Sequence, residues 1–300
     1  MTMIATLIAA RKSSALNADL VRDISTAVLG LDAKWLSQNE AIDILIEGDA
    51  ADIDLVDYTE AMLRSVIGNR PVDFAIQHGE NRRKKLLIAD MDSTMIEQEC
   101  IDELADMAGV KDHVSAITRR AMNGEISFEP ALRERVALLK GLPANIVQNV
   151  IDERITFMPG GKTLVATMQK QGAFCALVSG GFTSFTVPIA NMLGFNANRA
   201  NVLGERGGLL TGTIAEPILG MQAKVEALEH YCRELGISVA DAIAVGDGAN
   251  DLGMISKAGT GVALHAKPSV AAEAKVRIDH ADLTALLFIQ GYTRAEFTGD

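Results

Sequence analysis

Lys85-Leu-Leu-Ile-Ala-Asp-Met-Asp-Ser-Thr94 is the stretch on which the fold turns. Leu86 to Ala89 is a short apolar run without alternation, as expected of a strand buried on both faces of a parallel sheet. The run ends abruptly in Asp90 and Asp92, followed by the hydroxyls of Ser93 and Thr94. In open α/β sheets, ligands sit beyond the carboxyl ends of the strands. Two acids at that point are costly to desolvate without a compensating charge, and a hard divalent cation supplies one. A solvated Asp-rich turn accounts for the same residues, so this stretch alone leaves two readings open.

Three later stretches decide between them. Ala176-Leu-Val-Ser-Gly-Gly181 is a second apolar run, ending in a hydroxyl and two glycines ahead of a predicted helix from Phe182. Backbone N–H groups and a helix N-terminus there suit a phosphate. Lys224, on the predicted helix Met221 to Leu235, offers a compact positive charge. Ile243-Ala-Val-Gly-Asp-Gly-Ala-Asn-Asp-Leu-Gly253 is a further strand ending in acids, Asp247 and Asp251. Singly these read as a turn, a surface lysine and a Gly-Asp loop. In this order they form one constellation.

That constellation resembles the four motifs of the haloacid dehalogenase superfamily of phosphohydrolases. From Leu86 to about Leu287 the resemblance narrows to the family that hydrolyses phosphoserine, including Asp92-Ser-Thr94 after Asp90 and Arg-Glu-Arg-Val at Arg133 to Val136. The resemblance implies hydrolysis of O-phosphoserine to serine and phosphate, the final step of serine biosynthesis, through an aspartyl phosphate. It implies Asp90 as nucleophile and Asp92 as general acid and then base. Mg2+ would be held by Asp90, the backbone carbonyl of Asp92 and Asp247, with Asp251 behind them. Ser179, the Gly180 N–H and Lys224 would bind the phosphoryl group and Asn250 would orient substrate. Glu99 would meet the substrate ammonium and Arg135 its carboxylate; unaided, both read as ordinary helix-surface charges.

With 28 basic and 39 acidic side chains, the net charge of −11 argues against a nucleic-acid partner. Residues 1–80 carry 6 basic and 13 acidic groups, hence −7, and the run Arg82-Arg-Lys-Lys85 follows as an expected solvated linker edge. Three widely spaced cysteines, Cys100, Cys175 and Cys232, suggest reduced thiols rather than a disulfide framework. The histidines show no zinc-like spacing. The start of the chain lacks the charge order of a signal peptide, and no apolar run is long enough to span a bilayer, so a cytoplasmic protein without membrane partners is expected.

Residues 1–80 read as a domain of their own, with the order βαββαβ of the α+β ferredoxin-like fold. It resembles the ACT domains, which leaves room for an amino-acid ligand or for homodimerisation, a docking module without ligand being the plainer reading. Residues 81–300 read as the phosphatase domain, a doubly wound parallel α/β sheet. A small helical cap is inserted at about 96–155, where Phe128, Leu132, Val136 and Leu139 repeat at helical spacing. Pro143 is expected to open a cap helix, and Pro188 to kink or shorten the helix Phe182 to Leu193.

Rival readings are a phosphatase for another small ester, a phosphoryl transferase, or an amino-acid sensor with an inactive phosphatase body. Against the last, every group the chemistry needs is present.

Overall fold

The computed structural model describes residues 2–122 and 125–299. The N-terminal part comprises β1 (Thr2–Ala9), α1 (Ala18–Ala27), β2 (Gly30–Ser37), β3 (Ala41–Glu47), α2 (Ile53–Ile67) and β4 (Val72–His78). Its strands lie in the order β2-β3-β1-β4, with β1 antiparallel to both β3 and β4, as in the split βαβ arrangement. Leu20, Val21 and Ile24 recur on one face of α1 and pack with Met3, Ala5, Leu7, Ile42 and Ile44 in a core of their own.

The second part begins with β5 (Leu86–Ala89), in which all four side chains are buried. The cap follows as α3 (Cys100–Met107), α4 (Lys111–Met122), α5 (Phe128–Ala137) and α6 (Ile146–Arg154). Asn123, expected to close α4, lies outside the described residues. The chain then runs through α7 (Gly161–Lys170), β6 (Phe174–Phe182), α8 (Thr183–Leu193), β7 (Ala197–Asn201), β8 (Leu203–Arg206) and β9 (Leu209–Ile214). It ends with α9 (Met221–Leu235), β10 (Ala242–Gly246), α10 (Leu252–Lys257), β11 (Thr260–Leu264), α11 (Pro268–Glu273), β12 (Val276–Ile278) and α12 (Ala285–Ile289). Strands β12-β11-β10-β5-β6-β7 are parallel throughout. From β5 the chain order runs outward both ways, so the crevice beside β5 is the switch point where an α/β sheet binds its ligand.

Several expectations are corrected. The polar segment Ala197-Asn-Arg-Ala-Asn201 was not expected as a strand, yet it closes the sheet edge as β7. Strand β6 continues through Ser179-Gly-Gly-Phe182, because Phe182 pairs with Asn201 across an irregular register. Pro143 opens no helix; it bridges Leu209 of β9, and α6 starts at Ile146. Helix α8 runs through Pro188, whose missing N–H costs only the bond to the carbonyl at the first turn.

The two sheets are one. Arg277 of β12 pairs with Phe74 of β4, giving a continuous ten-stranded sheet. The joint is reinforced by Asp73, whose carboxylate accepts the N–H groups of Asp279, His280 and Ala281 at 2.8–3.1 Å. Arg82 is part of the same joint rather than a solvated linker residue. Its guanidinium grips Asp43 at 2.6 and 3.0 Å, donates to Thr6 Oγ1 at 2.9 Å, and reaches the Ile289 carbonyl at 3.1 Å. The two charged side chains are only 9% and 12% exposed. Arg82→Ala would leave Asp43 buried without its partner, a change that typically costs about 3–5 kcal/mol. A urea titration should show the midpoint falling at constant slope; a shift below about 1 kcal/mol would mean the pair is screened like a surface bridge.

Candidate active site

The site is built where three parallel strands end together. Asp90 directly follows β5, and its N–H still donates to the Val245 carbonyl of β10 at 3.0 Å, so the two strand ends are locked in register. Asp247 follows β10, Ser179 lies in β6, and Lys224 projects from the first turn of α9. Helix α9 runs from Met221 to Leu235, the bounds expected from sequence, with Gly220 before it and the left-handed Gly236 after it.

Lys224 is 1% exposed, and its Nζ lies 2.5 Å from Asp90 Oδ1 and 2.6 Å from Asp251 Oδ1. The other Asp251 oxygen accepts the Gly248 N–H at 3.0 Å. A Cβ at Gly246 would stand 2.3 Å from the Asp251 carboxyl carbon, so only glycine lets that carboxylate in. Oxygens of Asp90, Asp247 and Asp251 lie within 4.8 Å of one another, and all three residues are buried. Three carboxylates around one ammonium leave excess negative charge in a desolvated place. Burial, and then the charge of Asp251, push the Asp90 carboxyl well above its usual range despite Lys224. Burial raises Asp247 to about 6, against the opposing charge of Lys267. Burial alone would pull Lys224 down, but the carboxylates against it outweigh that and hold it above its ordinary value. Such an all-oxygen, electron-rich donor set fits a hard divalent cation.

The Asp92 side chain points elsewhere. Its Oδ1 accepts the Cys100 N–H at 2.8 Å, and its Oδ2 accepts the Ser179 hydroxyl at 3.1 Å. Burial and then the nearby charge of Glu99 raise its carboxyl above the usual range. Gly181 fits closely beside it: a Cβ there would lie 3.1 Å from Asp92 Oδ2 and 3.0 Å from Ser179 Oγ, so a larger residue would make those side chains give by a few tenths of an ångström. The Gly181 N–H donates back to Ser179 Oγ at 2.8 Å, which fixes the hydroxyl between loop and acid. Asn250 folds over Gly248, with its Oδ1 only 2.4 Å from where a Cβ would be.

The cap supplies the opposite wall. Its entry and exit are pinned by the Ile96–Phe157 bridge and by the Met158 N–H on the Met95 carbonyl at 3.0 Å. Phe128, at the start of α5, lies against Gly180 and Gly220 of the body. Arg133 pairs with Glu216, and Gly141 and Ala144 donate to the carbonyls of Leu210 and Gly208. Arg135 spends its Nε on the Ala131 carbonyl at 3.2 Å; among the described residues its two terminal nitrogens have no hydrogen-bond partner. Burial lowers its pKa, against the charges of Asp102 and Glu99. Glu99 stands at the N-cap position of α3 rather than inside it.

Sequence reasoning missed several contributors. Asn201 is 2% exposed and ties the Ser179-Gly-Gly181 segment to the approach of α9: it donates to the Gly180 and Leu219 carbonyls at 2.8 and 3.1 Å and accepts the Leu219 N–H at 2.7 Å. Asp102 faces Arg135, and the Cys100 backbone holds Asp92. Nothing in their local sequence marks them. The Cys100 thiol itself is pushed well up, first by burial, which favours the thiol over the thiolate.

Residues 87–256 match the haloacid dehalogenase-like hydrolase family. Fold and site together define a hydrolase of that class, and the chain belongs to this family. Within it, the chain is similar to proteins named phosphoserine phosphatase. The one from Haemophilus influenzae is 46% identical over 202 residues, which cover 67% of this chain and 64% of the relative. The one from Polaromonas sp. is 47% identical over 208 residues, covering 68% and 88%. The solved structure of a probable phosphoserine phosphatase from Vibrio cholerae superposes with a TM-score of 0.77 at 31% identity, covering 98% of this chain and 88% of that one. The matched stretch thus spans less than two thirds of the Haemophilus relative, and 58% of a similarly named Mycobacterium tuberculosis one. Among the described residues no helix is long and apolar enough to cross a membrane.

Proposed function

We propose that the protein hydrolyses O-phosphoserine to serine and inorganic phosphate, the final step of serine biosynthesis, in the cytoplasm. The observation that carries this reading is a pair of opposite charges: Glu99, whose charge acts on the acid Asp92, and Arg135, which in turn feels the charge of Glu99. Phosphoserine carries one ammonium and one carboxylate beyond its phosphate, so the pair suits it and not a plain alkyl phosphate.

Asp90 attacks phosphorus and forms an aspartyl phosphate, which divides a difficult displacement into two easier ones. Ser179, the Gly180 N–H and Lys224 bind the phosphoryl oxygens as their charge redistributes. Asp92, whose carboxyl burial shifts upward so that it holds its proton to higher pH, gives that proton to the departing serine oxygen. Its carboxylate then takes a proton from water, whose oxygen attacks phosphorus and displaces the Asp90 carboxylate, releasing inorganic phosphate. Mg2+, held by Asp90, Asp247 and the Asp92 carbonyl, would screen the repulsion between carboxylate and phosphate. Asp251 holds Lys224 and supports the cluster, and Asn250 orients substrate. Residues 1–80 have a core of their own, share the ten-stranded sheet with the phosphatase domain, 81–300, and serve as a docking or homodimerisation module, an amino-acid ligand being the second reading.

Arg135→Ala tests the substrate rather than the chemistry. A guanidinium grips a carboxylate through two parallel hydrogen bonds, each charge-assisted bond being worth about 1.5–3 kcal/mol. The variant should lower kcat/KM for phosphoserine on the order of 10–100-fold per bond lost and barely affect an aryl phosphate. Lysine should restore only part of the loss. Equal losses on both esters would make Arg135 a structural residue of the cap, and no loss on either would remove the main support for phosphoserine.

A further inference from the structure

Ser93 sits in a backbone conformation that glycine would hold without strain, with φ at +55°. Its hydroxyl donates to Glu99 Oε1 at 2.9 Å, its one side-chain hydrogen bond among the described residues. Its N–H donates to the Gln98 carbonyl at 3.2 Å, so the strained turn is tied twice to the segment entering α3. Glu99 occupies the N-cap position of that helix, yet its side chain makes no capping bond. The carboxylate turns back toward the strand end instead, where its charge acts on Asp92 and Asp247. A solvated glutamate has several rotamers open to it, and one at a helix start is also drawn to the unpaired N–H groups there.

We propose that Ser93 is a positioning residue for substrate selectivity: its hydroxyl holds the Glu99 carboxylate away from the helix end and aimed at the substrate ammonium. This rests on the reading of Glu99 given under Proposed function. The strain is tolerated because a glycine could keep the turn but not the carboxylate. Orienting the charge before substrate arrives removes an ordering cost from binding.

The test compares phosphoserine with its des-amino ester, 3-phosphooxypropionate, in wild type, Ser93→Gly, Glu99→Gln and the double variant. Ser93→Gly should raise KM for phosphoserine on the order of tenfold, with a smaller change in kcat and in KM for the des-amino ester. Its melting temperature should be no lower than that of wild type, because the turn is relieved. In the double variant, Ser93→Gly should add nothing to the loss from Glu99→Gln, since both remove one interaction. Equal KM increases on both esters, no increase on either, or additive losses would overturn the proposal. If Glu99→Gln leaves the ratio of the two esters unchanged, the role of Glu99 itself fails. If Glu99→Gln collapses that ratio and Ser93→Gly does not, only the role of Ser93 fails.

Discussion

Asp90→Asn is expected to abolish turnover on every phosphate ester, by on the order of 10⁴–10⁶-fold, the scale seen when a catalytic nucleophile is removed. The amide keeps the volume of the carboxylate but cannot attack phosphorus. The fold should survive, and for a definite reason. Burial, with the charge of Asp251, raises the Asp90 carboxyl well above its usual range, so the folded state disfavours its ionised form. Removing that charge relieves the cluster, while Lys224 keeps Asp251 as a partner at 2.6 Å. Without added metal the variant should therefore melt no lower than wild type. Mg2+ should raise the melting temperature of wild type more than that of the variant, because a carboxylate ligand has been lost. The checks are phosphate release on a sample verified free of deamidation, and paired melting curves with and without metal. Substantial residual turnover would place the attack on phosphorus at another residue.

The same cluster shows why this site was so legible. A central parallel strand is apolar along its whole length, so Leu86 to Ala89 and Ala242 to Gly246 stand out as runs. The acids that follow, Asp90 and Asp247, mark where those runs reach the sheet edge. What periodicity cannot carry is contact between distant segments. Arg82 sits in a run of four cations and reads as solvated, because nothing local shows that Asp43 waits on β3. Strand β7 is polar, being an edge strand whose Asn201 serves loops rather than core, so its sequence carries no strand signal. The left-handed turn at Ser93 was invisible for the opposite reason, since a residue that does not announce such a turn adopts it. Glu99 and Arg135 were reached only through family resemblance; two exposed-looking helix charges have no local feature that marks them as a pair.

The union of the two sheets has a mechanical consequence. Loop 279–281 is held by Asp73 of β4 on one side, and its Ala281 carbonyl meets His265 Nε2 at 2.9 Å on the other. His265 directly follows β11, the chain then leads to Lys267, and the Lys267 N–H donates to the Asp247 carbonyl at 3.3 Å. The N-terminal part is therefore connected to the backbone carbonyl of Asp247 through Asp73, loop 279–281, the chain from His265 to Lys267 and the hydrogen bonds between them, and Arg82 braces its other flank.

Asp92→Asn is expected to slow both halves of the reaction, because one carboxyl serves first as acid and then as base. The loss should be on the order of 10²–10⁴-fold, the usual scale for general acid–base catalysis. The geometry suits both tasks: the Cys100 N–H and the Ser179 hydroxyl hold the carboxyl in place, and burial keeps its proton on to higher pH than an exposed aspartic acid would. Asparagine retains an oxygen for the Cys100 N–H, so the loop should stay formed and the loss should be chemical. The leaving group then separates the two halves. Serine departs as a poor alkoxide and needs the proton, whereas an aryl oxide departs unaided. An aryl phosphate should thus recover in the first step only, and the aspartyl phosphate on Asp90 should accumulate, because the attacking water still lacks a base. Rapid-quench trapping of phosphoprotein, with burst kinetics of the aryl product, would display this. Equal losses on good and poor leaving groups, with no trapped intermediate, would remove Asp92 from the role and turn attention to a water-borne proton route past Ser179.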